Sequence, residues 1–261
     1  MFSPTNFRRL VIILLAVAFV AGVAWFWRGT GWQVTAPWQE TAPGIEVCVM
    51  RQGYFAPPAT VTAVRADPAR CRIRVVDEFA PTHGAGASAA MVCPPVGAVI
   101  NASFFAGENL SPIGLVIADG HHLCPMYQKA GSYGPWGYFR LRHRQPELIG
   151  SEGVATDEVT QAVQCAPRLV VQGRVQTFKP LPAARRAAVG LDARGRVILT
   201  VADGLISFPC WAECLRRQLN CREALNLDGG PSAQLAVHGA TSVDVAGGVS
   251  VPVFLTVEPV L

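Results

Sequence analysis

Asp228 is the residue whose neighbours best equip it for chemistry. An apolar run, Ala224-Leu225-Asn226-Leu227, delivers its carboxylate into Gly229-Gly230-Pro231-Ser232, and a second apolar run follows from Ala233 to Val237. Gly229 and Gly230 permit backbone conformations that a Cβ forbids and let a ligand approach the main chain. Successive N–H groups in such a bend can form a nest for an anion. The competing account is an ordinary hairpin closed by an Asp-Gly turn. Asn101 ends another apolar run, Val96 to Ile100, and leads into Ala102-Ser103-Phe104-Phe105. Its amide both donates and accepts, which suits a sugar hydroxyl. Phe104 and Phe105 would offer a sugar ring an apolar face, or else fill a core.

Strands must hold these residues. Short apolar runs alternate with turn signals along most of the chain, and Arg70, Arg72 and Arg74 alternate with Cys71, Ile73 and Val75 as on a strand with one solvated face. Arg140, Arg142 and Arg144 share one face of another strand; a solvated face is the default, and a surface for an anionic polymer is the alternative. Asp119-Gly120 and Asp203-Gly204 each close a strand. His121 and His122 follow the first of these turns, and adjacent strand side chains point to opposite faces, so the pair does not clamp a metal. A short helix is expected within 83–93. A second is expected over 209–220, where Trp211, Leu215 and Leu219 form one apolar stripe. The whole suggests an α+β domain on a mostly antiparallel or mixed sheet with few helices.

The 261 residues are 51% apolar and 15% charged, enough for a sizeable core. Arg8, Arg9 and Arg28 supply three of the +4 net charges, so the remainder carries no footprint for nucleic acid. Arg8-Arg9 precede an unbroken apolar run, Leu10 to Trp27, whose eighteen residues cover about 27 Å as a helix. The positive-inside rule sets residues 1–9 in the cytoplasm and everything beyond 28 in the periplasm or outside the cell. A signal peptide cleaved after Ala24 competes; Trp25, Phe26 and Trp27 favour an uncleaved anchor over 1–28. Residues 29–44 read as a linker and the domain is expected over 45–261. All eight cysteines lie beyond the anchor, and an even count in an exported domain argues for disulfides. Cys210-x3-Cys214 lacks the further ligands that structural zinc needs. No metal or cofactor is specified by the sequence.

Five segments in order resemble the phosphodiester glycosidase family. Asn101-Ala-Ser-Phe-Phe is similar to its Asn-Gly-Gly-Phe/Tyr-Phe segment, and Pro112-Ile-Gly-Leu with Asp119-Gly120 follows as there. Ala166-Pro167-Arg168-Leu169 resembles its Gly-Pro-x-Leu, and Arg186-Ala-Ala-Val-Gly190 its Arg-Thr-Ala-Ile-Gly. Asn226-Leu-Asp228-Gly-Gly-Pro-Ser232 is similar to Asn-Leu-Asp-Gly-Gly-Gly-Ser. Ala102, Ser103 and Pro231 stand where the family has glycines, which narrows the backbone's freedom.

The resemblance implies hydrolysis of a sugar 1-phosphodiester. Ordinary glycosidases need a second carboxyl to protonate a poor leaving group. A phosphate monoester already leaves as a stable anion, so one carboxylate with cationic and N–H stabilisation suffices. In that scheme Asp228 is nucleophile, base or oxocarbenium stabiliser, and Arg186 clamps the phosphate with its planar fork. Gly229, Gly230 and Ser232 line the substrate side, Asn101 binds sugar hydroxyls, and Asp203 assists there or serves as a second carboxylate. Arg186 in a structural ion pair, with Asp228 as a candidate partner, is the competing account. The expected partners are a glycan or sugar-phosphodiester substrate and a membrane, through residues 10–27. A non-catalytic polysaccharide-binding module and a phosphodiesterase cutting P–O are the alternative functions.

Overall fold

The computed structural model describes residues 31–52, 59–78, 86–127, 134–150 and 156–260. The expected anchor over 1–28 lies outside them, and no helix among the described residues is long and apolar enough to cross a membrane. The chain opens with β1 (Trp32–Ala42), β2 (Ile45–Gln52), β3 (Thr60–Ala66) and β4 (Cys71–Asp77). A single helical turn, Ala89–Val92, precedes β5 (Gly97–Asn101). Next come β6 (Phe104–Ala106), β7 (Ser111–Ile113), β8 (Val116–Ala118) and β9 (His121–Cys124). The middle of the chain forms β10 (Gly137–Arg142), β11 (Gln145–Gly150), β12 (Val159–Cys165), β13 (Arg168–Val171) and β14 (Arg174–Val175). Then follow β15 (Ala184–Asp192), β16 (Val197–Ile206), a helix (Phe208–Arg217) and β17 (Cys221–Asn226). A 3-10 turn, Gly230–Ser232, leads to β18 (Leu235–His238), β19 (Val243–Val245) and β20 (Val253–Pro259).

These strands form an eight-stranded sheet in the order β1-β2-β3-β16-β15-β17-β13-β14 and two five-stranded sheets, β11-β10-β12-β8-β9 and β19-β18-β5-β20-β4. β6 and β7 pair separately. The pairings are antiparallel, for example β15 with β16 and with β17. One face of the large sheet packs against both smaller sheets: Val64, Val189, Leu199 and Leu225 meet Ile100, Leu235 and Leu255 on one side and Phe139 and Val163 on the other. The opposite face takes the long helix, through Phe208, Trp211 and Leu215. β15 is therefore covered on both faces, which is why Arg186 to Asp192 are all buried. The helix begins where Ser207 accepts a hydrogen bond from the Cys210 N–H, and Pro209 fits a first turn that needs no donor. Burying each of Trp211 and Leu215 contributes about 1.5–3 kcal/mol.

Three expectations change. The supposed linker 29–44 contains β1, so the folded domain starts well before Ile45. β1 was missed because its pairing to β2 is broken by register shifts on either side of Ala36 and before Ala42, which erase a simple alternation. The eight cysteines are free thiols. They are dispersed as small apolar groups, Cys71 and Cys165 in one core and Cys48, Cys214 and Cys221 in the other. Burial pushes the Cys71 thiol up to about 11. The arginine face on β10 also dissolves. Arg140 is buried against Glu147 at 2.6 Å, and Arg142 meets the same carboxylate at 3.1 Å. Arg144 falls in the turn beyond the strand.

Candidate active site

Asp228 sits where the ends of β5, β12, β15 and β17 converge. β17 stops at Asn226, and the next residues are held by other strands: the Leu227 N–H donates to the Ala187 carbonyl at 2.9 Å and the Asp228 N–H to the Ala102 carbonyl at 3.1 Å. Asn226 ties the junction to the end of β12, donating its side-chain amide to the Ala166 carbonyl at 2.9 Å while its N–H reaches the Pro167 carbonyl at 3.0 Å. The Cys165 thiol lies 3.8 Å from the Ala102 carbonyl, so β12 ends directly beside β5.

Beyond Asp228 the chain bends tightly. The Gly229 N–H donates to Asp228 Oδ1 at 3.0 Å, and the Ser232 N–H to the Gly229 carbonyl at 3.2 Å. A Cβ on Gly229 would stand 2.9 Å from the Arg185 carbonyl oxygen, so this position excludes any side chain for steric reasons. Gly230 is different. Its φ is +59°, which favours glycine, and a Cβ there would meet nothing within 4 Å. The open side of the bend is therefore at Gly230.

The Asp228 carboxyl is half-buried, and burial pushes its pKa up. The Ser232 side-chain hydrogen bond and the Gly229 N–H pull it part of the way back. Its charge in turn raises the pKa of the Cys165 thiol, which burial already holds well above the usual range. A carboxyl in this state is a stronger base than a solvated one once ionised.

Arg186, on β15, runs its side chain past Gly229, whose Cβ position is 3.8 Å from Arg186 Cδ. Its guanidinium lies 3.9 Å over the Phe208 ring and donates to the Pro182 carbonyl at 2.8 Å and the Ile206 carbonyl at 3.4 Å. Those contacts fix the fork's orientation next to the bend. Arg185 pairs with Asp203 at 3.0 Å and donates to the Ala246 carbonyl at 2.7 Å.

One expected role does not survive. Asn101 is fully buried, and both ends of its amide are spent on backbone. Nδ2 donates to the Asp228 carbonyl at 2.8 Å and Oδ1 accepts from the Gln234 N–H at 3.0 Å. It fastens the two sides of the Asp228 bend to β5 instead of meeting a sugar. Asp203 is exposed and paired with Arg185, the residue next to Arg186. Among the described residues no three His, Cys, Asp or Glu side chains converge on a metal position.

Gln234, only 1% exposed, is a further polar residue at this junction that the sequence does not single out. It accepts from the Ala89 N–H at 2.6 Å and donates to the Val249 carbonyl at 3.1 Å, bracing the strand that follows the bend. A lone amide inside the apolar run 233–237 was the available signal. An aromatic group stands by the end of β12: Phe104 meets Trp136 edge-on at 5.7 Å, and Tyr127 lies 4.7 Å from the same ring. The Arg168 N–H bonds the Pro135 carbonyl at 3.2 Å, which carries Trp136 to this position.

Solved structures share this fold. The catalytic domain of zebrafish N-acetylglucosamine-1-phosphodiester alpha-N-acetylglucosaminidase shares the fold, with a TM-score of 0.65 at 17% identity over 87% of each chain. A hypothetical protein from Synechocystis does so with a TM-score of 0.55 at 16% identity, over 87% of this chain and 68% of its own. No curated protein matches the sequence. The family profile described as phosphodiester glycosidase matches residues 95–257, a span that holds Asn101, Arg186 and the whole Asp228 bend. With those segments converging on one half-buried carboxyl, the chain belongs to the phosphodiester glycosidase family and is a hydrolase of the glycosidase type.

Proposed function

We propose that this domain hydrolyses the bond between the anomeric carbon and the phosphate of a sugar 1-phosphodiester, on an envelope or exported glycan, outside the cytoplasm and tethered by residues 10–27. The observation that carries the reaction is Asp228: a half-buried carboxyl with a raised pKa, in a bend whose open side is Gly230 and whose flank is Arg186. Asp228 acts on the anomeric centre, as nucleophile or as base toward water. The leaving phosphate monoester departs as an anion, and the Arg186 fork with the Gly230 N–H on the open side of the bend stabilises it. Ser232 positions the Asp228 carboxyl through its hydrogen bond. Export is supported by the arginine-flanked apolar run at 10–27.

The test uses the purified domain on synthetic glycosyl phosphodiesters in 18O-labelled water. Label in the released sugar is the expected result, and label in the phosphate would mean P–O cleavage and overturn the assignment. Full activity of Asp228→Asn would remove Asp228 from the reaction. Retention or inversion at the anomeric carbon then separates nucleophile from base.

A further inference from the structure

A cavity of about 520 Å³ opens between β4 and the turn joining β10 to β11, lined by Arg72, Arg74, Asp119, Arg144 and Gln161 among others. Gln161 stands on the same face of β12 as Cys165, four residues earlier, on the order of 13 Å along the strand. The groove is thus separate from the junction at Asp228.

Its charge is the first clue. Three arginines and one carboxylate line it; that carboxylate, Asp119, is bound by Arg74 at 2.5 Å, and Glu258 on β20, near enough for its charge to act on Arg74, leaves an excess of one positive charge. Arg144 is exposed and has no ion pair among the described residues. Arg72 is opposite Glu258 in the β4–β20 register without forming an ion pair to it. The backbone is the second clue. His143 and Arg144 have φ of +49° and +65° in a two-residue hairpin turn, where Asn-Gly would sit without strain. The turn keeps an arginine at a position where glycine is the easier residue, and it presents that side chain at the mouth of the cavity.

The sheet edge is the third. β4 is an outer strand, and its Val75 N–H points away from β20 to Gln161 Oε1 at 2.7 Å. Ile73, two residues earlier, turns its N–H and carbonyl the same way, into the groove. With Val75 already capped, the open edge is too short to add a peptide strand, but it can hydrogen-bond a single polar group.

We propose that this groove binds a phosphoryl group of a phosphodiester-linked glycan chain, holding the polymer away from the bond that is cut. The choice of ligand rests on the proposed function; the anion preference rests on the arginines. Paired guanidinium forks match phosphoryl oxygens. The ligand then bridges Arg144 on the hairpin and Arg72 on β4.

Equilibrium titration calorimetry with poly(glycerol phosphate) tests it, since binding is read without cleavage. Wild-type protein is expected to bind more weakly as salt rises. Arg144→Gly and Arg72→Ala are each expected to weaken binding at least about fivefold. Arg144→Gly should melt no lower than wild type, because glycine relieves the turn. Unchanged affinity in both variants overturns the proposal. So does equal affinity for polygalacturonate, for an acidic peptide or for inorganic phosphate alone. Binding that persists in a protein inactive on every glycosyl phosphodiester would end the proposed reaction and leave the groove standing.

Discussion

Asp119 and Asp228 each come just after a strand and precede glycine, yet their carboxyls are held in opposite ways. Asp119 is exposed. The hydrogen bond from Arg74 holds its pKa below the usual carboxylate range, and Gln161 adds a second at 2.8 Å. Asp228 is half-buried, and burial pushes its pKa up against the pull of Ser232 and the Gly229 N–H. Both carry Asp-Gly directly after an apolar residue. The difference comes from what the rest of the chain brings: an arginine from an outer strand in one case, and the ends of three further strands in the other.

The sharpest way to break that contrast is at the reaction. Asp228→Asn should lower kcat on a small glycosyl phosphodiester by about 10³-fold or more, read in a steady-state assay. Arg186→Ala should cost about 10² in kcat/KM, and Arg186→Lys should recover little, because an ammonium does not replace a two-pronged fork. Asn101→Ala tests whether the bend is held from β5. It leaves the Asp228 carbonyl and the Gln234 N–H without their buried partner, and denaturant unfolding should show a loss of about 2–3 kcal/mol.

Smaller effects come from pH. The acid limb of the kcat/KM profile should lie above about 4, the ordinary value for an aspartate, because Asp228 must be ionised to act. A raised folded pKa gives stability that is fully present below the unfolded pKa and lost as pH rises through the folded one. Asp228→Asn should therefore raise the melting temperature at neutral pH, by about 2–4 °C if ~1 kcal/mol is recovered. Asp119 has the opposite sign: its contribution is present above the unfolded pKa and lost as pH falls through the lowered one. Asp119→Asn should cost at most about 1 kcal/mol at neutral pH, as befits an exposed pair, with the difference fading in acid. Melting curves in which both substitutions shift stability the same way would end the comparison.

Much of the junction was legible because its parts are short strand–turn units: the Asp228 bend, the arginine beginning β15 and the asparagine ending β5 all occur where the apolar runs stop. The role of Asn101 was not legible. Nothing in Val96 to Phe105 says that its amide will meet backbone groups from residues 228 and 234. Arg140, Arg142 and Arg144 look equivalent by spacing, but the hairpin places Glu147 opposite Arg140 and leaves Arg144 in the turn. The partner of Asp203 was not legible either, since Arg185 lies beside the arginine that drew attention. The helix over Phe208–Arg217 was legible from its stripe, and it ends three residues before the expected Asn220.

β1 has a practical consequence. It is the outermost strand of the large sheet and carries Pro37 and several register shifts, features that keep an outer strand from pairing with another molecule. A shortened protein begun at Ile45 would lose that guard and leave the outer hydrogen-bonding side of β2 bare along Ile45–Gln52. Self-association and poor soluble yield would follow, and any enzyme assay on such a fragment would measure aggregation before it measured catalysis.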